Sequence, residues 1–399
     1  MKSLFERFKK YASPVLGRYF SDFAVDHGKG CCLFSTNGKK YLDFSSGIAS
    51  CSTGHAHPRV VAAAVKQVKK LAHICIGVAL YEPYIALAEN LQKVVPMKNA
   101  QFFFCQSGSE AVEAALKLAK YATKKPGIIA IKGAFHGRTM GALSVTTSKM
   151  KYREGYEPLL PAVQVLSPDL REIEAKLKEH PIAGIIVELI LGEGGYLMQS
   201  KEFIAGLRKL CDQYQALLIF DEVQTGIGRT GKWFAAEHFG VQPDIICMAK
   251  GIASGFPLGG IAAPAEIMEK WSPGAHGSTF GGNPVCCAAA IATLDVIKKE
   301  KLLQNAAKLG AYMKNKLTAL QAKYPQLIKD VRGIGLMIGV DFGDSTVVKN
   351  ILNACLAKGL VLISTGGDGT VIRFVPPLIV KKKEIDQALK IFESALKHA

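Results

Sequence analysis

Ala216-Leu-Leu-Ile-Phe220 runs directly into Asp221-Glu222-Val223-Gln224, and Ile245-Ile-Cys-Met-Ala249 runs into Lys250-Gly251. Each short apolar run reads as a strand, and each stops at an ionisable residue. Similar runs flank them at Gln101 to Phe104, Gly127 to Ile131, Ile182 to Glu188 and Leu258 to Ala263. Amphipathic stretches lie between, such as Ser109 to Tyr121, where Ala111, Ala114, Ala115, Leu118 and Ala119 share one side. Strands alternating with crossover helices predict an α/β fold with a mainly parallel central sheet. After Asn283-Pro284 the texture changes: an Ala- and Leu-rich helical stretch extends to about Leu320, followed by strand-like pieces at Val331 to Val340 and Val371 to Phe374. A chain of 399 residues exceeds one small core. We expect a large domain over residues 46–282 and a smaller α+β C-terminal domain over 283–399, with residues 1–45 packing against the smaller one.

A lysine placed after apolar residues is held partly desolvated, which lowers its pKa and makes a neutral, nucleophilic amine accessible near neutral pH. An imine-forming lysine requires this. Pyridoxal phosphate chemistry combines such a lysine with an acid at the pyridinium nitrogen. Lys250 and Asp221 offer one of each, at two strand ends.

Composition narrows the alternatives. With 49% apolar and 21% charged residues, the chain is a folded protein rather than a disordered one. No apolar run approaches the ~18 residues of a membrane span. Met1-Lys-Ser-Leu-Phe-Glu-Arg-Phe-Lys-Lys10 is basic but lacks the apolar core of a secretory signal. A solvated helix is preferred there over an amphipathic targeting arm. The ten cysteines include the neighbours Cys31-Cys32 and Cys286-Cys287 but no C-x-x-C, which points to reduced thiols in a cytoplasmic protein. His55 and His57, in the turn-like Gly54-His-Ala-His-Pro58, lack a set of further ligands, so no metal is expected. The net charge of +17 is spread over helix-like faces such as Val65-Lys-Gln-Val-Lys-Lys70. That distribution favours a solvated surface over a nucleic-acid patch.

Four further segments carry candidate chemistry. Ser107-Gly-Ser-Glu-Ala111 falls between a strand and a helix, where backbone N–H groups favour a phosphate; an ordinary serine N-cap reads equally well. Gly133-Ala-Phe-His-Gly-Arg-Thr-Met-Gly141 puts Phe135, suited to stacking on a planar ring, and Arg138, suited to a carboxylate, in one glycine-rich loop. A structural turn with a surface arginine is the competing reading. Gly277-Ser-Thr-Phe-Gly-Gly-Asn-Pro284 suits either a phosphate or a helix cap. Arg373, inside the apolar Val371-Ile-Arg-Phe-Val-Pro-Pro377, is a charge that must be paired or functional, and Glu193 in Leu191-Gly-Glu-Gly-Gly195 is a possible partner.

Gly226-Ile-Gly-Arg-Thr-Gly231 spells the dinucleotide fingerprint G-x-G-x-x-G. In a Rossmann unit those glycines follow the strand at once, and an acid ends the next strand. Here Asp221 to Thr225 intervene, and Asp244 begins the next run instead. The fingerprint is therefore read as a decoy, and a nicotinamide-dependent oxidoreductase is disfavoured.

Taken together, the segments from Gly47-Ile-Ala to Arg373-Phe-Val-Pro-Pro resemble the class III pyridoxal-phosphate aminotransferases of fold type I, which include acetylornithine, ornithine and 4-aminobutyrate aminotransferases. The resemblance implies that Lys250 carries the cofactor as an imine and Asp221 meets the pyridine nitrogen. It places Gln224 at the ring hydroxyl, and Phe135 and Val223 on the two ring faces. Gly108 and Ser109 would bind the phosphate, joined by Thr279 of a neighbouring subunit in a homodimer with shared active sites; Ser278 falls on the substrate side. An arginine paired with a glutamate until an α-carboxylate displaces it maps to Arg373 and Glu193, and Arg138 would hold a distal carboxylate. Leu189 departs from the pattern, which has proline after the glutamate matching Glu188, and the departure bears on the loop leading to Glu193.

Ile48 stands where ornithine aminotransferases carry tyrosine, which argues against ornithine. Tyr152-Arg-Glu-Gly-Tyr-Glu-Pro-Leu-Leu160 and Trp271-Ser-Pro-Gly-Ala-His-Gly-Ser-Thr279 look like bacterial 4-aminobutyrate enzymes, while the short chain leans toward acetylornithine enzymes. The expectation is transfer from an ω-amino acid, 4-aminobutyrate ahead of acetylornithine, to 2-oxoglutarate. Aminomutases and racemases share the fold and the lysine.

Overall fold

The computed structural model describes residues 3–397, so Met1 and Lys2 of the basic N-terminal arm lie outside the described residues. The arm continues as the helix Leu4–Tyr11, capped by Ser3, with no buried residue. Next come β1 (Val25–Lys29), β2 (Cys32–Ser35) and β3 (Lys40–Asp43). The middle of the chain supplies β4 (Ala100–Cys105), β5 (Gly127–Ile131), β6 (Val163–Leu166), β7 (Ile182–Val187), a short hairpin of β8 (Ile190–Leu191) and β9 (Leu197–Met198), then β10 (Leu217–Asp221), β11 (Ile245–Met248) and β12 (Gly259–Pro264). β13 (Asp330–Ile334), β14 (Met337–Asp341), β15 (Leu360–Val361), β16 (Ile363–Thr365) and β17 (Val371–Phe374) complete the set.

The central sheet has the order β4-β12-β11-β10-β7-β5-β6. Strands β11, β10, β7, β5 and β6 are parallel, and β12 runs against both of its neighbours. β5 and β7 are buried along their whole length, as strands covered on both faces must be, which is why they read as unbroken apolar runs. Asp221 pairs in register with Cys247. The acid and, three residues beyond Cys247, Lys250 therefore leave the same carboxyl edge, where sites of parallel α/β sheets form.

A second sheet joins the two ends of the chain: β3 pairs with β15 in the order β1-β2-β3-β15. A third, β13-β14-β17-β16, is antiparallel throughout and carries Arg373 on β17.

Some expected elements are corrected. The helical stretch from residue 283 is two helices, Pro284–Lys299 and Leu302–Lys323, broken where Lys301 takes a left-handed φ of 54°. The piece from Val331 to Val340 is a hairpin rather than one strand, turning at Gly335. β6 was not anticipated, because its half-polar Val163-Gln-Val-Leu166 carries little apolar signal.

Residues 226–231 open no helix; they form a turn-rich loop. Arg229 in that loop is buried, and its Nη1 donates to the carbonyls of Leu336 at 3.1 Å and Pro376 at 2.5 Å. The glycines of the apparent fingerprint thus serve a tether between β10 and the C-terminal sheet. Among the described residues no helix is long and apolar enough to cross a membrane, and no cluster of three or more His, Cys, Asp or Glu stands ready for a metal.

Gly335 has φ +58°, and a Cβ there would sit 2.5 Å from the Thr230 carbonyl carbon and 2.6 Å from Arg229 O. Gly240, at φ +68°, faces open space. Gly240→Ala should cost only about 1 kcal/mol of backbone strain, whereas Gly335→Ala should cost about 3 kcal/mol or more because backbone must also move. Chemical denaturation of both variants checks this, and equal losses would contradict the packing described.

Candidate active site

A cavity of about 370 Å³ opens at the carboxyl edge of the central sheet. Of the residues singled out by sequence, Gly108, Ser109, Phe135, Glu193, Asp221, Val223, Gln224 and Lys250 line it. Ile48, Arg138, Ser278, Thr279 and Arg373 stand outside its wall.

Asp221, at the end of β10, is 4% exposed. Its Oδ2 lies 2.7 Å from Nδ1 of the buried His136, and its Oδ1 accepts the Val223 N–H at 3.0 Å. An ionised carboxylate only accepts, so a carboxylate here is matched by an imidazole with its proton on Nδ1. The contact holds the aspartate on the cavity wall, with lone pairs left for a further donor.

Lys250 follows β11 with a left-handed φ of 47°, a strained setting for a non-glycine residue. Burial holds its amine below the ordinary lysine value, against the opposing pull of Asp221 and then Glu188. The neutral amine is thus more accessible than at an exposed lysine.

The helix Gly108–Thr123 begins at the cavity wall, and its cap Ser107 accepts the Glu110 N–H. The N–H groups of Gly108 and Ser109 lie in its first turn, where an anion is favoured. Gly108 is required sterically, because a Cβ would come within 2.8 Å of Val223 Cγ1 on the facing wall. The Ser109 hydroxyl accepts the Arg138 N–H at 3.3 Å, joining this turn to the Phe135 loop.

Gln224 accepts from the Tyr196 hydroxyl at 2.8 Å through Oε1. Its carbonyl end is engaged, so the amide N–H₂ is the end left to donate. Glu188 accepts the Phe135 N–H at 2.8 Å and the Gly192 N–H at 3.0 Å. Burial first, then the nearby Asp221 charge, raise its carboxyl above the ordinary range.

Arg373 is fully buried. Its Nη1 meets Glu193 Oε1 at 2.6 Å and its Nη2 donates to the Tyr19 hydroxyl at 2.9 Å. Burial alone would lower this guanidinium, but Glu193 overrides it and holds the group firmly charged. Leu189 does not prevent the loop from reaching Arg373: its side chain is buried in the core and its carbonyl accepts the Gln199 N–H at 3.0 Å.

Ile48 rides on one left-handed turn, with φ of 43°, 64°, 63° and 62° from Ser46 to Ala49. Asp43 Oδ1 holds the start of the turn through the N–H groups of Ser45 and Ser46. Arg138 is exposed, its guanidinium 4.6 Å from the Tyr152 ring centroid. Ser278 contacts Gln106 on the cavity wall at 2.9 Å, and Thr279 is exposed beside it.

Sequence reading missed His136, Glu188, Tyr196 and Tyr19. His136 was the most accessible of these, since it neighbours Phe135 in a quoted motif, but its partner lies 85 residues away. No local pattern signals a pairing at that separation.

Glu222, next to Asp221, points away into the protein and accepts from Thr225 Oγ1 and from the N–H groups of Ala235 and Ala236. Burial outweighs these donors and, with Asp221 adding to it, raises the carboxyl from 4.5 to about 7. The native state then binds this proton more tightly than the unfolded chain, so the contribution is lost as pH rises through that window. The stability of the unaltered protein minus that of Glu222→Gln should fall by on the order of 3 kcal/mol between about pH 5 and 8. Urea denaturation across that range reads it, and a pH-independent difference would refute it.

The family model for Aminotransferase class-III matches residues 17–396. An acetylornithine aminotransferase of Archaeoglobus fulgidus is 42% identical, over 97% of this chain and 98% of that protein. A 4-aminobutyrate aminotransferase of Escherichia coli is 40% identical, over 100% and 99%. Among solved structures, an ornithine aminotransferase from Toxoplasma gondii with partial occupancy of PLP at its active site superposes with a TM-score of 0.91 at 30% identity, covering 98% of this chain and 93% of that one. With a lowered lysine and a buried aspartate at one sheet edge and the match spanning nearly the whole sequence, the chain belongs to the class III aminotransferases, a pyridoxal-phosphate-dependent family.

Proposed function

We propose that this enzyme moves the amino group of an ω-amino acid, 4-aminobutyrate ahead of acetylornithine, to 2-oxoglutarate, giving a semialdehyde and glutamate. The observation that carries this reading is the buried Arg373–Glu193 pair, 2.6 Å apart beside the cavity. One site must accept a donor with no carboxylate next to its amine, then an acceptor with a carboxylate next to its carbonyl. An arginine neutralised by a glutamate suits the first, and the same arginine released from it suits the second. Arg138, free of any carboxylate partner among the described residues, would take the distal carboxylate in both.

The residues fit pyridoxal phosphate. The space above Gly108, which a Cβ would close, and the N–H groups of Gly108 and Ser109 suit the phosphate. Asp221, fixed by His136, suits a protonated ring nitrogen, and the amide N–H₂ of Gln224 suits the ring hydroxyl, with Phe135 and Val223 toward the faces. When bound, the cofactor supplies an electron sink for the bond that breaks at the substrate carbon. Lys250 Nζ, as a neutral amine, would take the proton from that carbon and hold it as an ammonium until it is delivered back. Asp221 would hold a proton on the ring nitrogen.

Thr279 would act from the partner of a homodimer. In support, Thr279 adjoins Phe280, 56% exposed, and Val78 and Leu80 are 76% and 81% exposed, an apolar display that a second subunit would cover. Ten free thiols suit a reducing, cytoplasmic setting.

Acetylornithine is retained as the second donor because the 42%-identical relative carries that activity in its name. Single-turnover mixing of the holoenzyme with each amine decides between them. The visible cofactor band should be lost faster with 4-aminobutyrate and return on adding 2-oxoglutarate, with semialdehyde and glutamate as products. Faster reaction with acetylornithine would select the alternative. Racemised or rearranged donor without an oxo product would overturn the aminotransfer reading.

A further inference from the structure

The pair that carries the proposed function has a third member. Tyr19 reaches Arg373 from 354 positions away in the chain, its hydroxyl accepting from Nη2 at 2.9 Å. It belongs to residues 12–24, which have no regular secondary structure. The segment is nevertheless anchored on both sides of Tyr19. Arg18 lies 4.7 Å from the Phe8 ring centroid, Phe20 packs on the main core, and Phe23 stands edge-on to Tyr41 at 4.8 Å. Tyr19 is 47% exposed, so burial does not explain its placement; its hydroxyl does, accepting from Arg373 and donating at 3.5 Å to the Ser364 carbonyl.

Arg373 sits on β17 with no exposed surface, and its Nε has no partner among the described residues. Among the described residues, Glu193 and Tyr19 accept the hydrogen bonds from its terminal nitrogens. Glu193 is the one that must leave when a substrate carboxylate arrives. Tyr19 is neutral and binds the other nitrogen, so it has no reason to leave. On the basis of the function proposed above, we propose that Tyr19 is a positioning residue for the second half-reaction: it keeps the Arg373 guanidinium aimed at the cavity while Glu193 is displaced by the carboxylate of a 2-oxo or 2-amino dicarboxylic acid.

The consequence is a split between half-reactions. A hydrogen bond to a charged group contributes about 1.5–3 kcal/mol, which corresponds to roughly tenfold to a hundredfold in affinity. Tyr19→Phe keeps the ring and removes the acceptor. Tyr19→Trp keeps the bulk, and its indole N–H donates but cannot accept. In the holoenzyme both variants should raise the Kd of glutarate, an unreactive dicarboxylate, by about tenfold or more in calorimetric titration. The KM for 2-oxoglutarate should rise in parallel with little change in kcat. The single-turnover rate with 4-aminobutyrate should stay within about twofold, since that donor does not use Arg373. In an Arg373→Leu background, Tyr19→Phe should add nothing further. An unchanged glutarate Kd, or equal slowing of both half-reactions, would overturn the role of Tyr19 alone. An unaltered enzyme that never reacts with 2-oxoglutarate or glutamate would overturn the proposed function, and this inference with it.

Discussion

The site is organised by one buried charge. Asp221 is 4% exposed and His136 2%, and a carboxylate so far from water persists only when a hydrogen-bonding partner meets it. His136 is that partner at 2.7 Å, and its position draws in the rest. The Phe135 that precedes it is fixed on the cavity wall through its N–H to Glu188. Glu188 in turn accepts from Gly192, beside the Glu193 that reaches Arg373. The loops after β5 and β7 are thus tied by backbone N–H groups donating to Glu188, the His136 imidazole ties them to Asp221 at the end of β10, and Lys250, just beyond the adjacent β11, lines the same cavity.

Backbone strain gathers at the same place. Lys250 takes a left-handed conformation, as do all four residues of the turn carrying Ile48. Such residues cost about 1–2 kcal/mol each unless they are glycine. Asp43 offsets part of this: Oδ1 holds the N–H groups of Ser45 and Ser46, while Oδ2 pairs with His55 at 2.7 Å. Tertiary structure pins both segments, and each presents a side chain in a direction that relaxed backbone would not.

Much of the fold was legible because buried parallel strands are written as unbroken apolar runs; the runs ending at Ile131, Phe220 and Met248 all became strands of the central sheet. The half-polar β6 and the Gly335 hairpin were not, the first for want of apolar residues and the second because its turn is set by packing against Arg229 and Thr230. In the site, Asp221 and Lys250 were visible as ionisable residues closing apolar runs. His136 and Tyr19 were invisible for the opposite reason: each matters through side-chain hydrogen bonds to residues far along the chain. Arg138 and Thr279 were singled out by resemblance alone, and both stand on the surface of this single chain.

The central claim is that Lys250, the buried lysine on the cavity wall, supplies the amine that condenses with the cofactor aldehyde. Borohydride reduction of the holoenzyme, followed by peptide mapping, tests it most directly. The account predicts the reduced pyridoxyl group on the peptide containing Lys250, and its loss from that peptide in Lys250→Ala with no new site of comparable yield. Reduced cofactor recovered chiefly on another lysine, or undiminished labelling of the variant, would contradict it.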